Sequence, residues 1–324
     1  GFKEALSKYV CADGKCYADV FINTIKFSLF SIRACALDDL TKLNITVLQA
    51  YTLYRSYQEW YENFDGMSAV EVAYSVSLPE FDGIIHSCPA TTMERDAEGK
   101  QVTQTIAERM NMLVRKAKKL ALLRIKPNAE KKIAIVFHNH PSTNSNMGSC
   151  SAIDSIESVR LLLQDLRDAG YVIDHIPADR QEFIDELIAG ATNDRDYMSE
   201  KQIDNADAKL LVSAYRDYYK TLPEKVQQRL EQDWGEAPGD VFFYDDFLLI
   251  PGTMNGNIFI TMQPPRGFGE DPDKIYHSPD CAPTHHYLGF YHWLRDIWGA
   301  DAMMHIGTHG SLEWLPGKGV AMGD

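Results

Sequence analysis

Six of the ten histidines fall between residues 277 and 309: His277, His285, His286, His292, His305 and His309. His305 and His309 enclose Ile306-Gly307-Thr308, and Glu313 follows four residues after His309. The string HIGTHGSLE therefore offers two imidazoles and a carboxylate over nine residues. Imidazole and carboxylate both bind divalent metals, and both move protons near neutral pH when their surroundings shift them. His305, His309 and Glu313 are thus candidate metal ligands and candidate catalytic groups, Glu313 as the proton acceptor. The spacing is not HExxH, which sets two histidines one helical turn apart. The same loop also fits a satisfied hydrogen-bonded turn or a structural zinc site.

Further polar residues accompany this loop. Arg266 in QPPRGFGED and Lys318 in LPGKG are candidate partners for a ligand carboxylate; guanidinium makes two-pronged contacts. Gly317-Lys318-Gly319 lacks the glycine spacing and the hydroxyl of GxxxxGK[ST], so ATP is not placed there. His285 and His286 are adjacent, share no helical face and are candidate binding residues; one of them can also cap the helix that follows. His292 lies on a Tyr- and Trp-rich helix, where packing is the expected role. His138, His140 and Asn144, in and after IAIVFHNH, are candidates to line a cleft. Trp293, Trp298 and Trp314 suit stacking on a flat ligand or core packing.

The elements that must position these groups follow from periodicity. IAIVF (133–137) is a continuous apolar run and reads as a buried strand. IDSIESVRLLLQDLRDAG reads as an amphipathic helix with Asp154 or Ser155 at its start and Gly170 at its end. YVIDHIP (171–177) reads as a second strand, which makes a strand–loop–helix–strand unit with a ligand site at the carboxyl ends of the strands. The strand ADAMMHI, expected to bury its body, delivers the HIGTHGSLE loop. VFFYDDFLLIPG reads as two short strands or a hairpin and GNIFITMQ as one more strand. Upstream, 17–37 reads as a long apolar helix, 44–50 as a short strand, and a helix is expected around SYQEWYENF. The next helical pattern, 70–78, is expected to stop at Pro79. FDGIIHSCPA reads as a turn and strand, and 102–125 as a helix closed by Pro127. The predicted fold class is α/β, with Rossmann-like or flavodoxin-like strand–helix subdomains. Three domains are expected: 1–126, 127–250 and 251–324, the last carrying the histidine-rich loop.

Bulk properties bound the function. The chain has 324 residues, 45% hydrophobic and 24% charged, which is globular composition. A formal net charge of −14 argues against a nucleic-acid groove. No stretch approaches the roughly 20 apolar residues of a transmembrane helix. Six scattered cysteines, with no second pair to complete a zinc set, point to reduced thiols and a cytoplasmic location.

Four blocks, in order, carry a family resemblance: ITVLQAYTLYRSYQEW with SVSLPEFDG; IAIVFHNHPSTNSNMGSCSAIDSIESVRLLLQDLRDAGYVI; GNIFITMQPPRGFGEDPDKIYHSPDCAPTHHYLGFYHWLR; and HIGTHGSLEWLPGK. The sequence resembles the large, tetrapyrrole-binding subunits of cobaltochelatase and magnesium chelatase over nearly its whole length. The resemblance implies a ligase that forms nitrogen–metal bonds by inserting a divalent metal into a tetrapyrrole such as a cobalamin precursor. It implies that AAA+ ATPase motor subunits, with an associated subunit, use ATP and magnesium. Family members are far longer, so this chain is expected to be an internal fragment, inactive alone. Leu-Glu-Trp-Leu-Pro-Gly-Lys and Gln-Pro-Pro-Arg-Gly are similar to the cobalt branch, whereas Thr308 and Ser311 are similar to the magnesium branch. Cobalt is the favoured metal substrate and magnesium the alternative. A non-catalytic tetrapyrrole- or metal-binding module is the other reading.

Overall fold

The computed structural model describes residues 4, 6–12, 15–28, 41, 44–267, 275, 278–308 and 315–322. The fold is mixed α/β and divides into two compact units: Gly1–Ile125 with Gly317–Asp324, and Lys126–Pro316.

In the first unit, after a two-rung ladder of β1 (Cys11–Ala12) and β2 (Lys15–Cys16), four strands form one sheet. They are β3 (Val20–Asn23), β4 (Thr46–Thr52), β5 (Ile85–Arg95) and β6 (Gln101–Thr105), in the order β3-β4-β5-β6. The first three run parallel, and β6 returns antiparallel to β5. Helix α1 (Tyr57–Glu62) starts in a capping box between Ser56 and Glu59. Helix α2 (Ala107–Ile125) lays Leu113 against Leu48, Ala50, Cys88 and Ala90 of the sheet.

Three expectations change here. Val20–Asn23, inside the stretch read as a helix, is a strand: its backbone pairs in parallel with β4, and the Asn23 amide donates to Gln49 Oε1 at 2.7 Å. Residues 29–37 of that stretch lie outside the described residues. Gln101–Thr105, read as the start of a helix, is a strand. The Asp96 carboxylate accepts from the Glu98 and Lys100 N–H groups, closing a hairpin that sets Gln101 opposite Arg95. Its threonines and valine are weak helix formers. Pro79 does not end the upstream helix, which runs on as Leu78–Phe81 after a wide π-turn, Ala73–Ser77. A proline near the start of a new helical segment has no N–H to leave unsatisfied.

In the second unit the organising strand is β7 (Ile133–Phe137), every residue of which is buried. The period of two along a strand splits its side chains between two cores. Ala134 and Val136 join Phe259, Phe290, Trp293 and Leu294 on one face. Ile133, Ile135 and Phe137 join Ile156, Val159, Leu163 and Phe183 on the other. This second face is covered by α3 (Ser155–Asp168), capped by the Asp154 carboxylate on the Glu157 N–H, and by α4 (Arg180–Ala189). A small antiparallel sheet follows, β8 (Lys209–Leu211), β9 (Phe243–Tyr244) and β10 (Phe247–Leu249), in the order β8-β10-β9. Helices α5 (Val212–Tyr219) and α6 (Glu224–Trp234) lie between β8 and β9 in the chain. The main sheet is completed by β11 (Thr253–Asn255), β12 (Ile258–Met262) and β13 (Ala302–Ile306), in the order β11-β12-β7-β13. Both β12 and β13 run parallel to β7. Helix α7 (His285–His292), capped by Thr284, passes into a π-turn, Trp293–Ile297, between them.

Residues 171–177 do not form the expected second strand. Their polar backbone is taken up by the β11–β12 turn: Val172 O accepts from the Asn257 N–H, and the Asp174 and His175 N–H groups donate to Asn255 Oδ1. The parallel neighbours of β7 come instead from later in the chain. The boundary expected after residue 250 falls inside this unit, because β12 and β13 flank β7 in one sheet. The strand ADAMMHI also departs from expectation. It is the edge of the sheet, and Met303 and Met304 are 44% and 38% exposed. No helix among the described residues is long and apolar enough to cross a membrane.

Candidate functional site

The parallel strands β12, β7 and β13 end side by side. Backbone pairing continues one residue past β7 and β12: the His138 N–H donates to Ile306 O at 2.8 Å and the Gln263 N–H to Phe137 O at 2.8 Å. His138, Gln263 and Gly307 thus meet at the carboxyl edge, where open α/β sheets hold their ligands. Gly307 is required there. Its φ is +155°, and a Cβ would lie 2.2 Å from His138 Cβ. The loop after β7 folds back on itself through the Asn139–Met147 bridge and a bond from the Gly148 N–H to His138 O at 2.7 Å. His140 and Asn144 ride on this loop.

Two polar networks extend from the edge. The Gln263 amide reaches Tyr291 Oη at 3.2 Å and Tyr287 Oη at 3.5 Å, and the Tyr291 ring lies near-parallel to that of His305, 6.2 Å between centroids. His305 as a residue is exposed at the sheet edge, yet the protein packed around its ring desolvates it and holds its pKa below the ordinary histidine value. A neutral imidazole is a ready metal ligand or proton acceptor. On the other side, the Asn193 amide donates to Asn139 Oδ1 at 3.0 Å and to Gln263 O at 2.8 Å. The Asn144 N–H donates to Asp194 Oδ2 at 3.0 Å.

Of the residues singled out in the sequence, His138, His140, Asn144 and His305 fall at or beside this edge. His309 and Glu313 lie outside the described residues, as do His277 and Trp314. His285 and His286 sit in the core. His285 Nε2 donates to Gly235 O at 2.9 Å while Nδ1 accepts from the Tyr215 hydroxyl at 2.8 Å. His286 Nε2 donates to Leu249 O at 2.8 Å. Burial lowers both pKa values, that of His286 to about 4. His285 ties α7 to α5 and to the end of α6, His286 ties it to β10 of the small sheet, and the helix cap is Thr284. Arg266 is 2% exposed, and its guanidinium donates to Ser278 O and Cys281 O at 2.8 Å each, clamping the chain before α7. Lys318 belongs to the first unit; it donates to Tyr61 O at 3.0 Å and lies over the Trp60 and Phe64 rings. His292 packs as expected, stacked on Tyr218 with 4.0 Å between centroids, and Trp293 stacks on Trp298.

The residues that sequence reasoning passed over are Asn139, Asn193, Asp194, Gln263, Tyr287 and Tyr291. Only Asn139 and Gln263 carried a signal, as the first polar residues after buried strands or next to them. Among the described residues one set of three metal-binding groups lies within 4.8 Å: His175, Glu182 and Glu186, on the outer face of α4 and the segment before it. These could hold a metal ion; His175 Nε2 already meets Glu186 Oε1 at 2.9 Å.

The fold and this edge define an open α/β protein with a site of imidazole, amide and phenol groups at the ends of parallel strands. The chain belongs to the CobN/Magnesium Chelatase family, whose model matches residues 1–324. It is 34% identical to the aerobic cobaltochelatase subunit CobN of Pseudomonas aeruginosa, over 94% of this chain and 25% of that protein. It is 40% identical to an uncharacterized protein of Methanocaldococcus jannaschii, over 99% of this chain and 27% of the relative. In structure it is similar to the catalytic subunit of cobaltochelatase from Mycobacterium tuberculosis, with a TM-score of 0.82 and 32% identity over 99% of this chain and 27% of that one. The chain thus spans about a quarter of the length of these relatives.

Proposed function

We propose that the intact protein is the large subunit of an ATP-dependent metal chelatase, and that the strand-end edge described here forms part of its tetrapyrrole site. Metal insertion needs three things from the protein: a base for the pyrrole N–H protons, weak ligands that strip water from the metal, and a wall for the macrocycle. His305 supplies a neutral imidazole at the edge; to His309 and Glu313, which follow it in the chain, we assign a second metal ligand and the carboxylate that takes the protons. His138, His140 and Asn144 line the neighbouring loop. AAA+ motor subunits and their associated subunit bring ATP and its magnesium. Cobalt is the favoured metal substrate, supported by the Leu-Glu-Trp-Leu-Pro-Gly-Lys and Gln-Pro-Pro-Arg-Gly runs; Thr308 and Ser311 keep magnesium as the second reading. A cytoplasmic setting is part of the same proposal, on the scattered spacing of the six cysteines in the sequence.

The observation that carries the proposal is the family match over the whole chain. The test is Glu313→Gln in the intact subunit with its motor partners, with cobalt and magnesium supplied separately. Tetrapyrrole affinity should be kept and insertion should fall by ~100-fold, the scale of a positioned acid–base group. Unchanged insertion removes Glu313 from the reaction. Equal loss of binding and insertion makes it a binding residue. Binding with no insertion of either metal by the unaltered subunit supports the non-catalytic module instead.

A further inference from the structure

We infer that Asp194, Asn193 and Asn144 form a binding site for a hard divalent cation of the magnesium class, beside the carboxyl end of β7 and separate from the imidazole groups at β13. The site stands on its own geometry and does not depend on the chelatase reading.

Asn193 is 2% exposed. Its amide nitrogen donates to two acceptors, Asn139 Oδ1 and Gln263 O, so the amide cannot be turned over without setting oxygen against oxygen. Oδ1 must therefore point away from both, and there it is buried with no hydrogen-bond donor. Asp194, the next residue, is 7% exposed. Its carboxylate accepts from the backbone N–H of Asn144, and among the described residues no cation lies within ion-pair distance of it. The side-chain oxygen of Asn144 is likewise buried with no donor. Asn193 and Asp194 are consecutive and Asn144 is bonded to Asp194, which confines these oxygens to one corner of the fold.

Such a corner is unusual. Buried polar atoms are nearly always hydrogen-bonded, and a buried carboxylate is normally paired. Here the donorless amide oxygens belong to Asn193, the chain neighbour of Asp194, and to Asn144, whose N–H the Asp194 carboxylate accepts; all three groups are acceptors, with a formal charge of −1. An anion is repelled there; water can meet the acceptors one by one, but only a cation also compensates the buried carboxylate charge. The ligand atoms are all oxygen, with no imidazole or thiolate, which selects a hard cation over cobalt or zinc. Three protein oxygens leave coordination positions for water, as magnesium prefers. The surroundings are prepared for the load. Asn139 is itself held by its amide donating to Thr143 O at 2.8 Å, and Thr192 Oγ1 accepts from the Asp194 N–H at 3.2 Å.

The test uses the intact protein, freed of metal by a chelator, with Mn2+ as the paramagnetic probe and Mg2+ as competitor. Electron paramagnetic resonance counts bound Mn2+ and gives its affinity. The unaltered protein should hold one Mn2+ equivalent that Mg2+ displaces and that Asp194→Asn loses or binds at least ~10-fold more weakly, since affinity at such sites follows the ligand charge. Asn144→Ala removes one ligand oxygen on a partly exposed residue and keeps the backbone bond to Asp194. It should weaken the same equivalent, and it carries the test if Asp194→Asn does not fold. Equal Mn2+ number and affinity in the unaltered protein and a folded variant overturns the inference. So does a crystal structure grown in Mg2+ in which water alone meets the three oxygens.

Discussion

Replacing Gly307 by alanine tests how the site is held together. The new Cβ would lie 2.2 Å from His138 Cβ, 3.2 Å from Cγ and 3.5 Å from Cα. The first contact is far inside van der Waals range. The atom it meets is fixed to the backbone of β7's extension, so no distant rotamer can yield. Overpacking of this kind costs about 1–3 kcal/mol. A φ of +155° adds strain for any residue with a Cβ, again about 1–3 kcal/mol. The sum is about 2–6 kcal/mol, relieved only if β13 and β7 separate at their carboxyl ends. That separation would break the 2.8 Å bond from the His138 N–H to Ile306 O and shift His305. The two costs can be divided. In a His138→Gly background the overlap disappears and the φ strain stays, so the cycle of single and double variants should show a coupling of about 1–3 kcal/mol. Urea unfolding of the four proteins measures it, and the insertion assay reports whether the strand ends moved. Gly307→Ala with stability within about 0.5 kcal/mol of the parent, or no coupling to His138, would refute the strand-end contact on which the candidate site rests.

Three further outcomes follow from the groups that the structure places away from that edge. The His286 imidazole titrates at about 4 in the folded protein against about 6.5 unfolded, so below pH 6.5 the unfolded chain takes up a proton that the folded one refuses. Its share of stability is whole above pH 6.5 and declines by about 3 kcal/mol as pH falls to 4; denaturant titrations should show a shallower decline in His286→Gln, with His285 contributing in the same direction. Lys318 should act as a strut: Lys318→Ala is expected to cost the protein about 1–2 kcal/mol through the lost Tyr61 bond and ring contacts. The protein without its motor partners should hydrolyse no ATP; turnover abolished by that substitution would overturn the assignment.

Local signals in the sequence determined much of the second unit. The unbroken apolar run 133–137 and the run 258–262, interrupted only by Thr261, read as strands buried on both faces, and they are. Asp154 announces the start of α3 and Gly170 its end, because capping involves neighbours within a turn. The mixed α/β class and the family were legible in the same way, from short ordered strings. Tertiary structure alone decided which strands lie side by side. Val20–Asn23 and Gln101–Thr105 became strands through partners tens of residues away or across a hairpin, and 171–177 lost its ladder to a turn more than eighty residues downstream. It also decided what each polar residue does. A histidine in a string of histidines is a core bond or a ligand according to what surrounds it, and His286 met Leu249 O while His305 met open edge. Asn144 and Asp194 are fifty residues apart, and only the return of the chain past the end of β7 brings that amide to that carboxylate. Propensity and capping act over a few residues; burial and charge compensation are properties of a place in the fold, and no run of sequence contains them.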